Sequence, residues 1–240
     1  MSALDRRIDL AVHSLKDLPT DIPTGLKLAA VSERADPRDV LVARVPFKQL
    51  PAGSKIGTGS LRRSIQLRRY RRDIETVAIR GNVDTRVRKV TSGELDGIII
   101  AAAGLTRLGW ASKISEYLPL ENFLPSVGQG ALGLETREGD LDAAELVGPL
   151  NHLATWQSVT AERAFLLKLG GGCRAPIAAL GTVTQNILKL RGMIASLNGE
   201  KVLYDIIEGS SASAEKLGSQ LAQRMLEAGA AKFIDEVRGR

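Results

Sequence analysis

Five short apolar runs punctuate the first part of the chain: Ile8 to Val12, Leu26 to Val31, Val40 to Ala43, Thr76 to Ile79 and Gly97 to Ala101. Among them, Leu61 to Arg72 and Val83 to Thr91 carry apolar residues at helical spacing. Strands alternating with helices predict an α/β fold with largely parallel sheets. Gly57-Thr58-Gly59-Ser60 and Gly81-Asn82 stand where a strand gives way to a helix, and Asn82 is a good N-cap. Pro125 to Gly133 is glycine-rich without helical period and predicts a crossover or hinge. Leu153 to Leu169 reads as a helix that stops at Gly170-Gly171-Gly172. After Cys173 the character changes. Ala179 to Val183, Ile187 to Ile194 and Lys201 to Ile207 read as meandering strands, with a hairpin turn at Asn198-Gly199. Ala214 to Ala228 follows as an amphipathic helix, making this a separate α+β unit.

The chain carries a net charge of +6, and its source is local. Arginines stand at 62, 63, 68, 69, 71, 72, 80, 86 and 88, opposed only by Asp73, Glu75 and Asp84. A guanidinium fork fits carboxylates and phosphates, so the cluster predicts an anionic partner. Nucleic acid is the usual partner of such a cluster, but stacking residues are scarce: aromatics are 4% of the chain and only Tyr70 lies in this window. A small polyanion fits at least as well. No apolar run approaches the ~18 residues of a membrane helix, and the charged first residues do not read as a secretory signal. A single cysteine allows no internal disulfide and points to a reducing cytosol.

Four segments are candidates for chemistry. In His13-Ser14-Leu15-Lys16-Asp17-Leu18-Pro19 a strand runs into a polar tip, the end that faces the crevice in α/β folds. Lys16 and Asp17 there suit a ligand carboxylate and a ligand nitrogen; the plain alternative is a solvated Lys-Asp turn. His13 reads as a structural hydrogen-bonding residue. In Gly57-Thr58-Gly59-Ser60-Leu61-Arg62-Arg63 a glycine turn opens a helix N-terminus, which offers N–H groups to an anion. Thr58 and Ser60 add hydroxyls, and a basic helix end is the alternative. Arg80-Gly81-Asn82-Val83-Asp84-Thr85-Arg86 repeats that logic, and Arg107 is a third contributor. Arg68, Arg69, Arg71 and Arg72 read as a solvated face. Cys173 lies after three glycines and beside Arg174. A lone cysteine is usually a buried small hydrophobe, whereas a nearby cation favours an accessible, low-pKa thiol; both readings stand. No Cys/His cluster suggests a metal.

Together these segments resemble the porphobilinogen deaminase (hydroxymethylbilane synthase) family, in its order. The resemblance rests on Val12 to Pro19, Gly57 to Arg63, Arg80 to Arg86, Ala101 to Gly109, Pro125 to Gly133, and Glu162-Arg163-Ala164-Phe165 through Gly171-Gly172-Cys173. It implies an α/β fold: two periplasmic-binding-protein-like domains facing a cleft, plus a small α+β C-terminal domain with the cysteine. The implied division is 1–32 with 129–150 for domain 1, 33–128 for domain 2, and 151–240 for the third. Cys173 would hold a dipyrromethane cofactor through a thioether. Asp17 would be catalytic, its carboxylate contacting pyrrole nitrogens as four porphobilinogen molecules join head to tail with loss of ammonia. Lys16, Thr58, Ser60, Arg62, Arg63, Arg80, Gly81 and Arg86 would bind the cofactor. Arg80, Arg86 and Arg107 would join Asp17 in holding the substrate. The implied protein is a cytoplasmic monomer without a nucleic-acid or membrane partner.

The chain departs from the family pattern in places. Several dozen residues with an Arg-Gly-Ser-Pro-Leu-Ala-like motif normally precede the Val12 segment, and here eleven do. Either the start is misplaced or domain 1 is N-terminally incomplete. In the second case an unpaired sheet edge, poor stability and little deaminase activity are expected, and normal turnover would refute this. Gly59 stands where the family more often has Ser, and Gly170 where a polar residue is common. Two other classes compete: a periplasmic-type binding protein for a small polyanion, which needs neither Asp17 nor Cys173, and a nucleic-acid binder.

Overall fold

The computed structural model describes residues 3–170 and 175–238. The chain runs β1 (Ala11–Ser14), β2 (Leu26–Val31), β3 (Asp39–Ala43), β4 (Lys55–Gly57), α1 (Leu61–Tyr70), β5 (Glu75–Val77) and α2 (Val83–Thr91). Next come β6 (Gly97–Ala101), α3 (Ala102–Arg107), β7 (Glu116–Tyr117), β8 (Leu132–Arg137), α4 (Leu141–Val147) and α5 (Leu153–Leu169). The last stretch holds β9 (Ile177–Thr184), β10 (Ile187–Ala195), β11 (Val202–Ser210), α6 (Ala214–Met225) and α7 (Ala231–Arg238), the two helices joined by a π-turn over Leu226–Ala230.

The strands form three sheets, ordered β1-β8-β2, β5-β4-β6-β3-β7 and β11-β10-β9. In the second, β4 pairs parallel with β5 and β6, but β3 pairs antiparallel with β6 and β7. The first sheet is antiparallel throughout, because β8 returns from far along the chain and inserts between β1 and β2. The third is an antiparallel meander. The expectation of largely parallel sheets is therefore corrected. Alternation of strands and helices reports the order of elements, while strand direction depends on where each connection crosses.

Both faces of the second sheet are covered. Val40, Val42, Ile98 and Ile100 pack with Val87 and Val90 of α2, and on the other face Leu41, Ile56 and Ile99 pack with Phe47, Leu67 and Phe123. Burial on two sides explains why β6 reads as an unbroken apolar run. In the third sheet one face packs against α5 and α6 through Phe165, Leu188, Leu190, Leu217 and Leu221. Part of its other face, Ala178, Leu180 and Met193, meets Leu120 and Leu124 on the chain's return from the second sheet.

Several element boundaries move. The strand expected at Ile8 to Val12 lies at Ala11–Ser14, where it pairs with Leu132 to Glu135, and Ile8 is exposed. The strand expected at Thr76 to Ile79 is Glu75–Val77, and α1 ends at Tyr70 rather than Arg72. Arg71 is not part of a solvated face: its Nη atoms donate to the Phe47 and Leu50 carbonyls at 2.8 and 3.1 Å, and it pairs with Asp73. Asn82 caps α2 by accepting from the Thr85 N–H at 2.9 Å, and α5 stops at Gly170.

Candidate active-site cleft

β1 delivers the chain into a single 3-10 turn, Leu15–Asp17. Leu15 is buried and anchors that turn, leaving Lys16 half-buried and Asp17 exposed at the rim. Lys16 lines a cavity of about 560 Å³ together with Ser60, Arg62, Ser126, Arg163 and Ala175. Three parts of the fold meet there: the loop after β1, the start of α1, and the unit that begins at α5. Burial in the cleft lowers the Lys16 amine to about 8, and the neighbouring Arg63 charge adds to this.

The turn before α1 uses its hydroxyls locally. Thr58 Oγ1 accepts from the Ser60 N–H at 3.2 Å, and Ser60 Oγ accepts from the Arg63 N–H at 3.5 Å. Each hydroxyl still has its own proton to donate. Gly59 is set by close approach: a β-carbon there would stand 2.7 Å from the Ile79 carbonyl oxygen.

Arg62 and Arg63 are not free surface cations. Both are buried and converge on Asp39, the first residue of β3. Arg62 Nη1 donates to Asp39 Oδ2 at 2.7 Å and to the Leu124 carbonyl at 2.6 Å. Arg63 Nε donates to Asp39 Oδ1 at 2.9 Å, and its Nη2 to Gln129 Oε1 at 3.2 Å. The Gln129 amide in turn donates to Asp39 Oδ1 at 2.9 Å and to the Pro37 carbonyl at 2.7 Å. Burial works to raise the Asp39 carboxyl, but the two guanidiniums overcome it and hold that carboxyl well below the usual range. One carboxylate thus serves two arginines, and Lys16 and Arg86 lie close enough for the Arg63 charge to depress both. The neighbourhood keeps an excess of positive charge.

The other expected residues are more dispersed. Arg80 is exposed, and Gly81 takes a positive φ of 108° at the turn into α2. Arg86 folds back to donate from Nε to the Gly81 carbonyl at 2.8 Å. Arg107 Nη2 donates to the Gly130 carbonyl at 2.9 Å, tying α3 to the glycine-rich return segment. Cys173 lies outside the described residues; Ala175, two positions on, lines the cavity. His13 Nε2 donates to Glu135 Oε2 at 3.1 Å, as a structural residue would.

Sequence reasoning missed Asp39, Gln129, Arg34 and Glu162. Glu162 is fully buried and holds Arg34. Its only signal was a carboxylate set among the apolar positions of α5, inside a matched motif. Among the described residues no group of His, Cys, Asp and Glu could hold a metal ion, and no helix is long and apolar enough to cross a membrane.

Two family models match. One, described as porphobilinogen deaminase, dipyromethane cofactor binding domain, covers residues 2–145; the other, described as porphobilinogen deaminase, C-terminal domain, covers residues 156–227. Similar proteins carry the same name. One from Syntrophus aciditrophicus is 50% identical over 232 residues, 96% of this chain and 76% of the relative. One from Geobacter metallireducens is 49% identical over 231 residues, 96% of this chain and 73% of the relative. One from Carboxydothermus hydrogenoformans is 47% identical over 237 residues, 98% of this chain and 76% of the relative.

Proposed function

The chain belongs to the porphobilinogen deaminase family, transferases that condense four porphobilinogen molecules head to tail with loss of ammonia to hydroxymethylbilane, and we propose how its own residues divide that work. The observation that carries the proposal is the cation excess at the cavity between Lys16 and Arg62, beside the segment that bears Cys173. Dipyrromethane carries several carboxylates, and a donor set of Lys16, Arg62, Arg63 and Arg86 with the Thr58 and Ser60 hydroxyls fits such a group. When bound, it supplies the pyrrole position from which the chain is extended.

In this reading Cys173 Sγ would hold the cofactor through a thioether. Lys16, Ser60 and Arg62 hold the cofactor carboxylates from the cavity wall, with Thr58, Arg63 and Gly81 behind them. Arg80, Arg86 and Arg107 receive the acetate and propionate of the incoming porphobilinogen. Asp17 at the rim presents its carboxylate to the pyrrole N–H and stabilises the positive charge that develops as ammonia leaves. A carboxylate fixed beside developing charge in a partly closed cleft is worth far more than one in water. The three sheets support a division into 1–32 with 129–150, 33–128 and 151–240. A cytoplasmic monomer completes the proposal.

Intact-mass measurement tests this reading. The purified protein should be heavier than its sequence by one dipyrromethane, and Cys173→Ser should lack that mass. Asp17→Asn should keep the mass and lose turnover by a factor on the order of 100 or more. A chain with no added mass and no turnover that still binds small polyanions would instead be a binding protein.

A further inference from the structure

Arg163 lies on α5, in the unit that leads to Cys173, yet its guanidinium reaches across to the loop that follows Asp17. Nη1 donates to the Leu18 carbonyl at 3.1 Å, and Nη2 donates to the Pro19 and Thr20 carbonyls at 2.7 and 3.3 Å. These are three consecutive carbonyls in a stretch without regular secondary structure. Among the described residues Arg163 is paired with no carboxylate, so its charge is spent on backbone dipoles while the side chain also lines the cavity. Its neighbour Glu162 points the other way and accepts from the Gly128 N–H at 2.7 Å, on the return segment. Two adjacent residues of one helix turn therefore fasten α5 to both sides of the cleft.

We propose that Arg163 is a positioning residue for the deaminase reaction: it fixes the Leu15 to Thr20 loop, and with it Asp17 and Lys16, relative to the helix that leads to Cys173. The inference rests on the catalytic role read for Asp17. The physical reason is that the attachment thiol and the rim carboxylate belong to different units of the fold. A covalently tethered ring can meet the carboxylate reproducibly only if those units are held in register. A fork with several donors can bind three carbonyls in a fixed geometry, which an ammonium on a flexible stem cannot do. Displacements of about 1 Å in such an alignment cost rates on the order of 100-fold.

The test uses the full chain and two variants, Arg163→Gln and Arg163→Lys. Hydrogen exchange is read amide by amide, together with kcat and KM for porphobilinogen. We expect faster exchange confined to residues 15–22, with α5 and β9 unchanged. kcat should fall by a factor on the order of 100 in Arg163→Gln and less in Arg163→Lys, while KM stays within about twofold. Unchanged exchange at 15–22, or a rise spread equally over α5 and β9, would overturn the proposal. So would a normal kcat. Should Arg163→Gln fail to fold, Arg163→Lys carries the same readouts. If Asp17→Asn keeps normal turnover while the exchange pattern of Arg163→Gln appears, the loop contact stands and the reading of Asp17 falls.

Discussion

The Glu162 carboxylate holds the Arg34 guanidinium fork to fork, at 2.5 and 3.1 Å, with Glu162 wholly removed from solvent. Arg34 stands where the chain first leaves the β1-β8-β2 sheet, and its Nε donates to the Gln129 carbonyl on the return segment at 2.8 Å. The same carboxylate accepts from the N–H groups of Gly128 at 2.7 Å and Gly181 at 2.8 Å. One side chain on α5 thus gathers both crossings between the first two sheets and the start of the third.

Glu162→Gln should therefore be strongly destabilising. It leaves Arg34, whose side chain is only 11% exposed, without its counter-charge, and breaking a buried pair from one side costs about 3–5 kcal/mol. Urea unfolding should show a lower midpoint with an unchanged slope. A loss below about 1 kcal/mol would mean that the pair behaves like an exposed one.

Asp39 sets the acid limb of stability. Its folded carboxyl is held down by Arg62 and Arg63 against the upward push of burial, whereas the unfolded group titrates near ~3.9. A depressed folded pKa gives stabilisation that is complete above the unfolded value and is lost as pH falls toward the folded one. Asp39→Asn should cost about 3 kcal/mol at neutral pH, and the gap to the unsubstituted protein should narrow below about pH 3.9. Unfolding free energies measured at both conditions decide it; a gap that stays constant would remove Asp39 from the acid response.

Lys16 shares that direction with pH, but here it is the charged form that costs stability. Its amine is lowered from 10.5 to about 8, first by burial and then by Arg63. Between those values the folded protein binds fewer protons than the unfolded chain, so stability rises with pH across the window. Below it, the charged amine costs the unliganded protein stability. Lys16→Met should gain about 1–2 kcal/mol at neutral pH, less than the full shift because the group is half-buried. The same variant should bind a linear tricarboxylate more weakly. Unaltered stability together with unaltered binding would take Lys16 out of the anion-holding set.

Gly218 tests the packing of α6 on α5. A β-carbon there would collide with the Ala161 carbonyl oxygen of α5. Helix propensity alone favours Ala over Gly by about 1 kcal/mol. The collision should reverse that sign, because overpacking a tight contact costs about 1–3 kcal/mol. Gly218→Ala is expected to lower the thermal midpoint; a raised midpoint would show that the two backbones do not lie this close.

The local elements and the chemistry on offer were legible along the chain. The Asn82 cap, the Leu153–Leu169 helix and the Asn198-Gly199 turn follow from periodicity and from residues whose backbone preferences are strong. The order of the motifs carried the family, and the arginine cluster carried the sign of the ligand. Which of those cations are committed emerges from the packing of distant segments. Arg62 and Arg63 read as free donors along the chain, but in space they share Asp39, and Arg34 reaches Glu162 across 128 positions. Periodicity tells which face of an element is buried, never which other element it is buried against. A carboxylate at the start of a strand looks the same in sequence whether it meets water or two guanidiniums. Strand direction was hidden for the same reason: β8 inserts antiparallel between β1 and β2 because of the path of the return segment, and no residue within β8 records that path.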